Sequence, residues 1–234
     1  IRKKIVEINS MRKAAHLGSC LSCVEILLAS FEFLKPKFEN LIFSKGHAAL
    51  AYYVTYEFFS KKMNSKNYLK IKSNYWAHIT KNVPKKINFS FGSLGYGLGI
   101  AAGTALAKKK CKIICVLSDG ELNEGSIWES LFFISHHKLN NLNILIDENK
   151  IQSFGKTKSI LNIKYRDIFK QMRFNFYEID GHSTHKILKI LNKKTQYPKI
   201  IMCQTIKAKG LKKYENRVSS HYYPAKEGDV RLVY

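Results

Sequence analysis

Two oxygen-bearing side chains stand where they could bind a metal ion together. Asp119 comes shortly after the apolar run 113–117. Asn149 follows a second apolar run, 142–146. If these runs are neighbouring parallel strands joined by one crossover, both side chains reach the same rim of a sheet. A carboxylate oxygen and a carboxamide oxygen suit Mg²⁺ that also takes phosphate oxygens from a ligand.

The residue after Asp119 favours an anion at the same rim. Gly120 has no side chain, so a ligand can approach its backbone closely, and the N-terminus of the following helix offers free N–H groups. An Asp-Gly pair after a strand is in itself the ordinary sequence of a turn. The segment 119–125, which reads DGELNEG, is together with Asn149 more specific than a turn. We therefore expect a functional site here.

The surrounding sequence alternates between strand-like and helix-like segments. The strand-like segments are 40–43, 113–117, 142–146, 174–179 and 200–204. The helix-like segments are 5–33 with an interruption near His16, 48–59, 98–107, 127–137, 166–172 and 184–191. A continuous apolar run such as 113–117 is typical of a strand that is buried on both faces. The alternation predicts an α/β fold, a parallel sheet flanked by helices, with ligands at the carboxyl ends of the strands.

The composition indicates a globular domain in a reducing compartment. The 234 residues are 45% hydrophobic and 24% charged. No apolar run approaches the roughly 20 residues that a membrane-spanning helix needs, so we expect no membrane association. Five cysteines, an odd number without regular spacing, favour a cytoplasmic location. These observations exclude collagen-like, disordered and disulfide-scaffold proteins.

The net charge is strongly positive. Forty Lys and Arg residues against 17 Asp and Glu residues give a formal net charge of +23. Such a field attracts polyanions and small phosphorylated ligands alike. Most of the basic residues are lysines, which do not read bases as arginines do, so nucleic-acid binding is disfavoured.

The segment 118–149 resembles the thiamine-diphosphate motif, which typically begins Gly-Asp-Gly and closes on Asn. The wider sequence resembles the N-terminal half of transketolase in collinear order. Further matching segments are 15–18 (AHLG), 44–47 (SKGH), 92–99 (GSLGYGLG) and 215–221 (ENRVSSH), with His78 fourteen residues before Gly92. Ser118 replaces the first glycine of the motif, and Leu17 and Ser93 replace prolines, but none of these changes removes a reacting group.

The resemblance implies thiamine diphosphate and Mg²⁺ as cofactors. The implied metal ligands are the side chains of Asp119 and Asn149 and the carbonyl oxygen of Ile151. The positions that match cofactor contacts are His47, Gly92, Ser93, Leu94, Gly120, Glu121 and Asn149. The positions that match catalytic histidines, which would exchange protons with sugar hydroxyls, are His16, His78 and His221. Glu124 and Glu129 match glutamates that meet across the family's subunit interface.

The resemblance also implies an activity that needs a partner. Transketolases transfer a two-carbon ketol unit from a ketose to an aldose, which are phosphorylated or free sugars. In the family, a glutamate on a second, pyrimidine-binding domain activates the cofactor. No second series of alternating strands and helices follows the first, so we expect residues 1–234 to be a single diphosphate-binding domain. The pyrimidine-binding and C-terminal domains are then expected on a separate chain, in a two-plus-two heterotetramer.

Two other functions remain open from the sequence. One is another thiamine-diphosphate enzyme, such as a deoxyxylulose-phosphate synthase or a dehydrogenase E1 component, although His16, His78 and the loop 92–95 favour transketolase. The other is a basic scaffold or nucleic-acid-binding protein that keeps the fold without catalysis. Cys20 and Cys23 have the spacing of half a zinc site, but no second pair completes it. We therefore expect both cysteines to pack in the core.

Overall fold

The computed structural model describes residues 1–61, 63–83 and 87–234. Within these ranges, five strands form one parallel sheet that helices flank. The strands are β1 (Leu41–Phe43), β2 (Ile113–Ser118), β3 (Leu142–Glu148), β4 (Asn175–Asp180) and β5 (Lys199–Gln204). Their order across the sheet is β1-β2-β3-β5-β4, and every neighbouring pair is parallel. The predicted α/β fold is therefore confirmed.

The helices occupy the segments between and around these strands. They are α1 (Arg2–Arg12), α2 (Leu17–Ser22), α3 (Val24–Leu34), α4 (Ala49–Ser60), α5 (Tyr96–Ala107), α6 (Gly125–His136), α7 (Thr157–Ile160), α8 (Tyr165–Gln171) and α9 (Thr184–Asn192). The interruption predicted near His16 is present, because Lys13 and His16 adopt left-handed backbone conformations with φ of 48° and 67°. Among the described residues, no helix combines the length and the apolarity that crossing a membrane requires.

The register of the sheet brings the two predicted metal ligands to one edge. Strands β2 and β3 are neighbours, and Ser118 lies opposite Asp147. Asp119 directly follows β2, and Asn149 directly follows β3. Both residues therefore lie at the carboxyl edge of the sheet, as the single crossover between them predicts.

Strand β3 continues two residues beyond its predicted end at position 146. The polar pair after position 146 looks like the end of a strand in the sequence, but Asp147 is fully buried within it. The ammonium group of Lys45 forms an ion pair with Asp147, and the hydroxyls of Ser22 and Thr205 also donate to its carboxylate. These partners offset the cost of burying a charge, so the strand does not have to end there.

The cysteines pack as small core residues. All five are free, and Cys20, Cys23, Cys115 and Cys203 are buried. In the part of the chain that the structure describes, no group of three or more His, Cys, Asp or Glu side chains could hold a metal ion. The prediction that Cys20 and Cys23 belong to the core is confirmed.

Candidate active site

The carboxyl edge of the sheet borders a cavity of about 380 Å³. Most of the residues that the sequence singles out line it, namely His16, His47, His78, Gly92, Leu94, Asp119, Gly120, Asn149, Ile151 and His221. Ser93 and Glu121 are not among the lining residues. The fold thus brings distant chain segments together around one space that can hold a small ligand.

Asp119 is held by hydrogen bonds at the end of β2. Its Oδ2 accepts from the backbone N of Lys150 at 2.8 Å and from Oγ1 of Thr157 at 2.9 Å. Its Oδ1 accepts from the backbone N of Gly120 at 3.0 Å. Burial raises the pKa of Asp119, and the nearby Asp147 carboxylate raises it further. A cation beside this carboxylate would stabilise its charged form, so the position suits a metal ligand.

Asn149 and Ile151 are next to Asp119 in space. Lys150, whose backbone N–H donates to Asp119, lies between them in the chain. The Oδ1 of Asn149 accepts from the backbone N of Ile151 at 3.1 Å. The carbonyl oxygen of Ile151 accepts from Nζ of Lys207 at 2.8 Å. The three oxygen donors that the resemblance implies are therefore neighbours at one edge of the cavity.

This donor set fits Mg²⁺ when an anionic ligand completes the site. A carboxylate, a carboxamide oxygen and a backbone carbonyl are the hard oxygen donors that Mg²⁺ prefers. The single carboxylate of Asp119 would neutralise only part of the charge of the ion, and three donors are fewer than the ligands that Mg²⁺ requires. The oxygens of a diphosphate would supply both the remaining charge and the remaining ligands.

Four histidines form a cluster centred on His16. Its ring centroid lies 5.5 Å from that of His47, 5.6 Å from that of His78 and 4.8 Å from that of His221. The ring centroids of His47 and His221 are 6.0 Å apart. The backbone N–H of His16 also donates to the carbonyl oxygen of His221 at 2.7 Å, which ties the C-terminal part of the chain to the start of α2. The structure therefore unites the three predicted catalytic histidines with His47.

The histidine cluster is neutral at pH 7. Burial lowers the pKa of His16 to about 4, and the charges of His78 and Lys207 add to the shift. Burial also lowers the pKa of His221 to about 4, with Lys207 as the next cause. The pKa values of His47 and His78 are lowered by burial as well. Each neutral imidazole has one N–H donor and one acceptor nitrogen, so the cluster can both accept and return protons.

The sequence profile of the family described as transketolase, thiamine diphosphate binding domain, matches residues 32–234 of this chain. The chain belongs to this transketolase family. The matched range includes every predicted site residue except His16, which lies between α1 and α2. His16 joins the site through its contacts with the rings of His47, His78 and His221.

Individual transketolases are similar to this chain over most of its length. It is 32% identical to a subunit of the apulose-4-phosphate transketolase of Phocaeicola vulgatus, over 94% of this chain and 85% of that protein. It is 31% identical to the corresponding protein of Actinobacillus succinogenes, over 100% of this chain and 91% of that protein. A solved transketolase structure from Campylobacter jejuni has a TM-score of 0.81 at 26% identity, over 99% of this chain and 42% of that chain. The chain thus spans most of each apulose-4-phosphate transketolase protein but less than half of the solved transketolase.

Lys45 is a buried lysine on the lining of the cavity. Its sequence context does not identify it as a functional residue of this transketolase domain. Its side chain is fully buried, and its Nζ donates to the carbonyl oxygen of Ser19 and to Oγ of Ser22, both at 3.1 Å. Burial disfavours the charge of Lys45, but the Asp147 carboxylate outweighs this effect and raises its pKa. Lys45 stands two residues before His47 in a matching segment, which is the only signal that the sequence carries for it.

A second buried lysine, Lys207, also lines the cavity and is not evident from the sequence. It is 1% exposed, and its Nζ donates to the carbonyl oxygen of Ile151. Burial lowers the pKa of Lys207 to about 8, and the charge of Lys45 adds to this shift. An ammonium group so close to the predicted metal ligands suits a cavity that receives an anion. In the sequence, Lys207 is one of many lysines in a polar segment after β5.

Glu121 does not line the cavity, but its carboxylate connects chain segments next to it. The side chain is fully buried, and its Oε1 accepts from the backbone N of Gly95 at 3.2 Å and from the hydroxyl of Ser44. Its Oε2 accepts from the backbone N and the Oγ of Ser118 at 2.8 and 3.0 Å. Glu121 therefore links the loop before α5 to the ends of β1 and β2. The predicted contact of its backbone N–H with a diphosphate, like that of the exposed Ser93 with the cofactor, stays a prediction.

The two glutamates that match an interface in the family differ in position. Glu124 lines the cavity, whereas Glu129 is exposed on α6. The structure contains one chain, so a meeting of these residues across a subunit interface stays a prediction.

A second cavity, of about 510 Å³, is also lined by the chain segment after β3. It shares Asp119, Asn149 and Ile151 with the histidine-lined cavity. No histidine is among its lining residues in the part of the chain that the structure describes. The smaller cavity is therefore the candidate active site, because it combines the oxygen donors with groups that can transfer protons.

Proposed function

We propose that this chain is the diphosphate-binding subunit of a transketolase-like transferase. The reaction is the transfer of a two-carbon ketol unit from a ketose or ketose phosphate to an aldose or aldose phosphate, with thiamine diphosphate and Mg²⁺ as cofactors. The observation that carries the proposal is that Asp119 is bonded to the segment of Asn149 and Ile151 beside four neutral histidines in one cavity. Membership of the transketolase family supports the same activity.

In this proposal, Asp119, Asn149 and the carbonyl oxygen of Ile151 would hold Mg²⁺, whose positive charge would favour the diphosphate in the cavity. Gly120 leaves room for the diphosphate beside the backbone, and the charge of Lys207 favours an anion in the cavity. His47 donates an N–H to the cofactor. When bound, thiamine diphosphate supplies the electron sink that lets a carbon–carbon bond of the sugar break. The residues of this chain bind the cofactor and orient it.

The proton transfers are the task of His16, His78 and His221. Their rings adjoin one another in the cavity, so a sugar hydroxyl that contacts one ring is close to the next. The negative charge of a bound diphosphate would raise their lowered pKa values towards neutral pH. A group whose pKa is near the working pH exchanges protons most effectively, so these histidines can accept a proton from a hydroxyl and return it.

The partner in this proposal is a subunit that carries the pyrimidine-binding and C-terminal domains. This chain spans 85% and 91% of two proteins that are each named as one subunit of a transketolase. Residues 1–234 would then be one diphosphate-binding domain, and two copies of each subunit would form a heterotetramer. The five free thiols favour a reducing compartment, so we place the enzyme in the cytoplasm.

The roles of the metal ligands and the histidines can be separated by binding measurements. The Asp119→Ala variant should lose Mg²⁺-dependent binding of thiamine diphosphate by the enzyme assembled with its partner subunit, measured by isothermal titration calorimetry. The His16→Ala variant should bind the cofactor nearly as the wild type does and transfer ketol units more slowly, by roughly 10²–10⁴-fold. An equal loss of binding in both variants would contradict these roles.

A further inference from the structure

Gln152 is placed over Gly120 by a tight hairpin that follows the predicted metal ligands. Ile151 and Lys156 form an antiparallel bridge, and the backbone N of Gln152 donates to the carbonyl oxygen of Gly155 at 2.8 Å. A Cβ atom added to Gly120 would lie 3.3 Å from both Cγ and Cδ of Gln152. The side chain of Gln152 therefore packs against the Gly120 backbone, on the wall of the histidine-lined cavity.

In the carboxamide of Gln152, the oxygen forms a hydrogen bond and the nitrogen does not. Its Oε1 accepts from Nδ2 of Asn123 at 3.4 Å. Its Nε2 is buried and has no hydrogen-bond partner among the residues that the structure describes. A buried N–H donor without a partner is unfavourable, and a ligand that accepts a hydrogen bond there would remove this cost.

The surroundings of this donor favour an anionic oxygen as its partner. The ammonium groups of Lys45 and Lys207 are buried on the lining of the same cavity. Asp119 directly precedes Gly120 in the chain. Both of its carboxylate oxygens already accept hydrogen bonds. A phosphate oxygen that approaches Gly120 would therefore be attracted by the ammonium of Lys207 and meet the free N–H of Gln152.

From this geometry we infer that Gln152 is a further binding residue for the cofactor, donating its Nε2–H to an oxygen of the diphosphate. The inference rests on the proposed function, because it takes a diphosphate as the ligand of this cavity. Gln152 is not among the positions that the resemblance to transketolase marks.

Two substitutions test this assignment. Gln152→Met keeps a side chain of similar length and removes the donor. Gln152→Glu keeps an oxygen that can accept from Asn123 and replaces the free donor with a negatively charged oxygen. Gln171→Glu is the matched control, because it makes the same change of net charge at an exposed position at the end of α8.

Binding is measured on the full chain by isothermal titration calorimetry at saturating Mg²⁺, with thiamine diphosphate and with inorganic pyrophosphate as separate probes. For both probes, we expect the affinity to fall about 10-fold in Gln152→Met and about 100-fold in Gln152→Glu. The Gln171→Glu control should bind like the wild type. Gln152→Met loses the long bond from Asn123 but also an unpaired buried donor, so its unfolding temperature without ligand should change little.

The outcomes separate this inference from the proposed function. If the wild type binds neither probe, the proposed function fails. If the wild type binds both probes and the two Gln152 variants bind them equally well, only the role of Gln152 is overturned. An affinity loss for thiamine diphosphate without a loss for pyrophosphate would also overturn it, because the contact would then lie elsewhere on the cofactor. Lower stability of both variants without ligand would assign Gln152 to folding instead.

Discussion

The chemistry of this site depends on single buried residues whose charge is controlled by their surroundings. Without a ligand, the cavity favours neutral groups, since burial raises the pKa of Asp119 and lowers the pKa values of His16 and His221. Lys45 is the opposite case, because the Asp147 carboxylate keeps it charged. A metal ion and a diphosphate would both shift these pKa values, so binding of the proposed cofactors would be coupled to protonation.

Binding of Mg²⁺ should depend strongly on the presence of a diphosphate. Asp119 is the only carboxylate among the three proposed ligands, and the carbonyl oxygen of Ile151 also accepts from the ammonium of Lys207. We therefore expect the affinity for Mg²⁺ alone to be at least about tenfold weaker than the affinity in the presence of inorganic pyrophosphate. Calorimetric titration of Mg²⁺ with and without pyrophosphate measures the difference. Tight binding of Mg²⁺ alone would contradict the proposal that these three ligands need a diphosphate to complete the site.

The stability of the chain without ligand should decrease in mild acid because of the histidine cluster. The pKa values of His16 and His221 are lowered to about 4, whereas unfolded histidines titrate at about 6.5. Between these values the unfolded state binds more protons, so the free energy of unfolding falls as the pH drops from about 7 towards 4. Urea unfolding at pH 7, 6 and 5 measures this slope. The double variant His16→Asn/His221→Asn should show a smaller slope, and an unchanged slope would argue against the neutral cluster.

At the scale of secondary-structure elements, a buried polar network connects four chain segments, and Lys45 of this network lines the cavity. Lys45 follows β1, Ser22 ends α2, Asp147 lies in β3 and Thr205 follows β5. The carboxylate of Asp147 accepts from all three of the other side chains. The network therefore sets the relative positions of the elements that carry His16, His47 and Lys207.

Removing the ammonium of this network should destabilise the fold more than removing both charges. Lys45→Met leaves the Asp147 carboxylate buried without its counter-charge, which should cost about 3–5 kcal/mol of unfolding free energy. The double variant Lys45→Met/Asp147→Asn removes both charges of this pair and keeps one of the two oxygens that accept from Ser22 and Thr205, so it should regain part of the loss. Urea denaturation of the wild type and both variants tests this. A double variant no more stable than Lys45→Met would refute the charge-pair explanation.

Two glycines of α5 should respond in opposite ways to the same substitution. A Cβ on Gly97 would lie 2.4 Å from Cβ of Ser44, whose hydroxyl donates to Glu121. Gly97→Ala should therefore destabilise the chain by roughly 1–3 kcal/mol. A Cβ on the exposed Gly103 would meet nothing within 4 Å, so Gly103→Ala should stabilise the helix by up to about 1 kcal/mol. Thermal unfolding of the two variants provides the comparison, and equal shifts would contradict the close packing at Gly97.

At the scale of the whole molecule, the described residues form one sheet with one histidine-lined cavity at its edge. The solved transketolase is more than twice as long, because this chain covers 42% of it. The two apulose-4-phosphate transketolase proteins, in contrast, are nearly matched in length. The net charge of +23 would attract diphosphates and sugar phosphates to the cavity at long range.

The purified chain should bind the cofactor but transfer ketol units very slowly by itself. Adding a partner that carries the pyrimidine-binding domain should raise the rate by roughly 10²–10⁴-fold, because in the proposal that domain supplies the acid–base group that activates the cofactor. The assay uses a ketose phosphate donor, an aldose acceptor, thiamine diphosphate and Mg²⁺. The Asp119→Ala variant mixed with the same partner is the control for background activity. Rapid turnover by the chain alone would refute the two-subunit proposal.

Local patterns predict much of this fold. Continuous apolar runs mark β2 and β3, and the polar residues after them mark the edge where Asp119 and Asn149 lie together. The end of β3 is predicted too early, because the ion pair that permits Asp147 to be buried comes from Lys45, far away in the chain. Boundaries that depend on such distant partners are not visible in a local pattern.

The resemblance to transketolase implied the histidines for proton transfer. The sequence pattern by itself determined the alternation of strands and helices, the parallel sheet and the two side chains that suit magnesium beside a diphosphate. It did so because apolar periodicity and the placement of Asp119 and Asn149 are local properties of the chain. Only the tertiary structure decided that Lys45 and Lys207 are buried beside them and that Gln152 has an unpaired donor in the cavity. Burial and hydrogen-bond partners arise from residues far apart in the chain, so they exist only after the chain has folded.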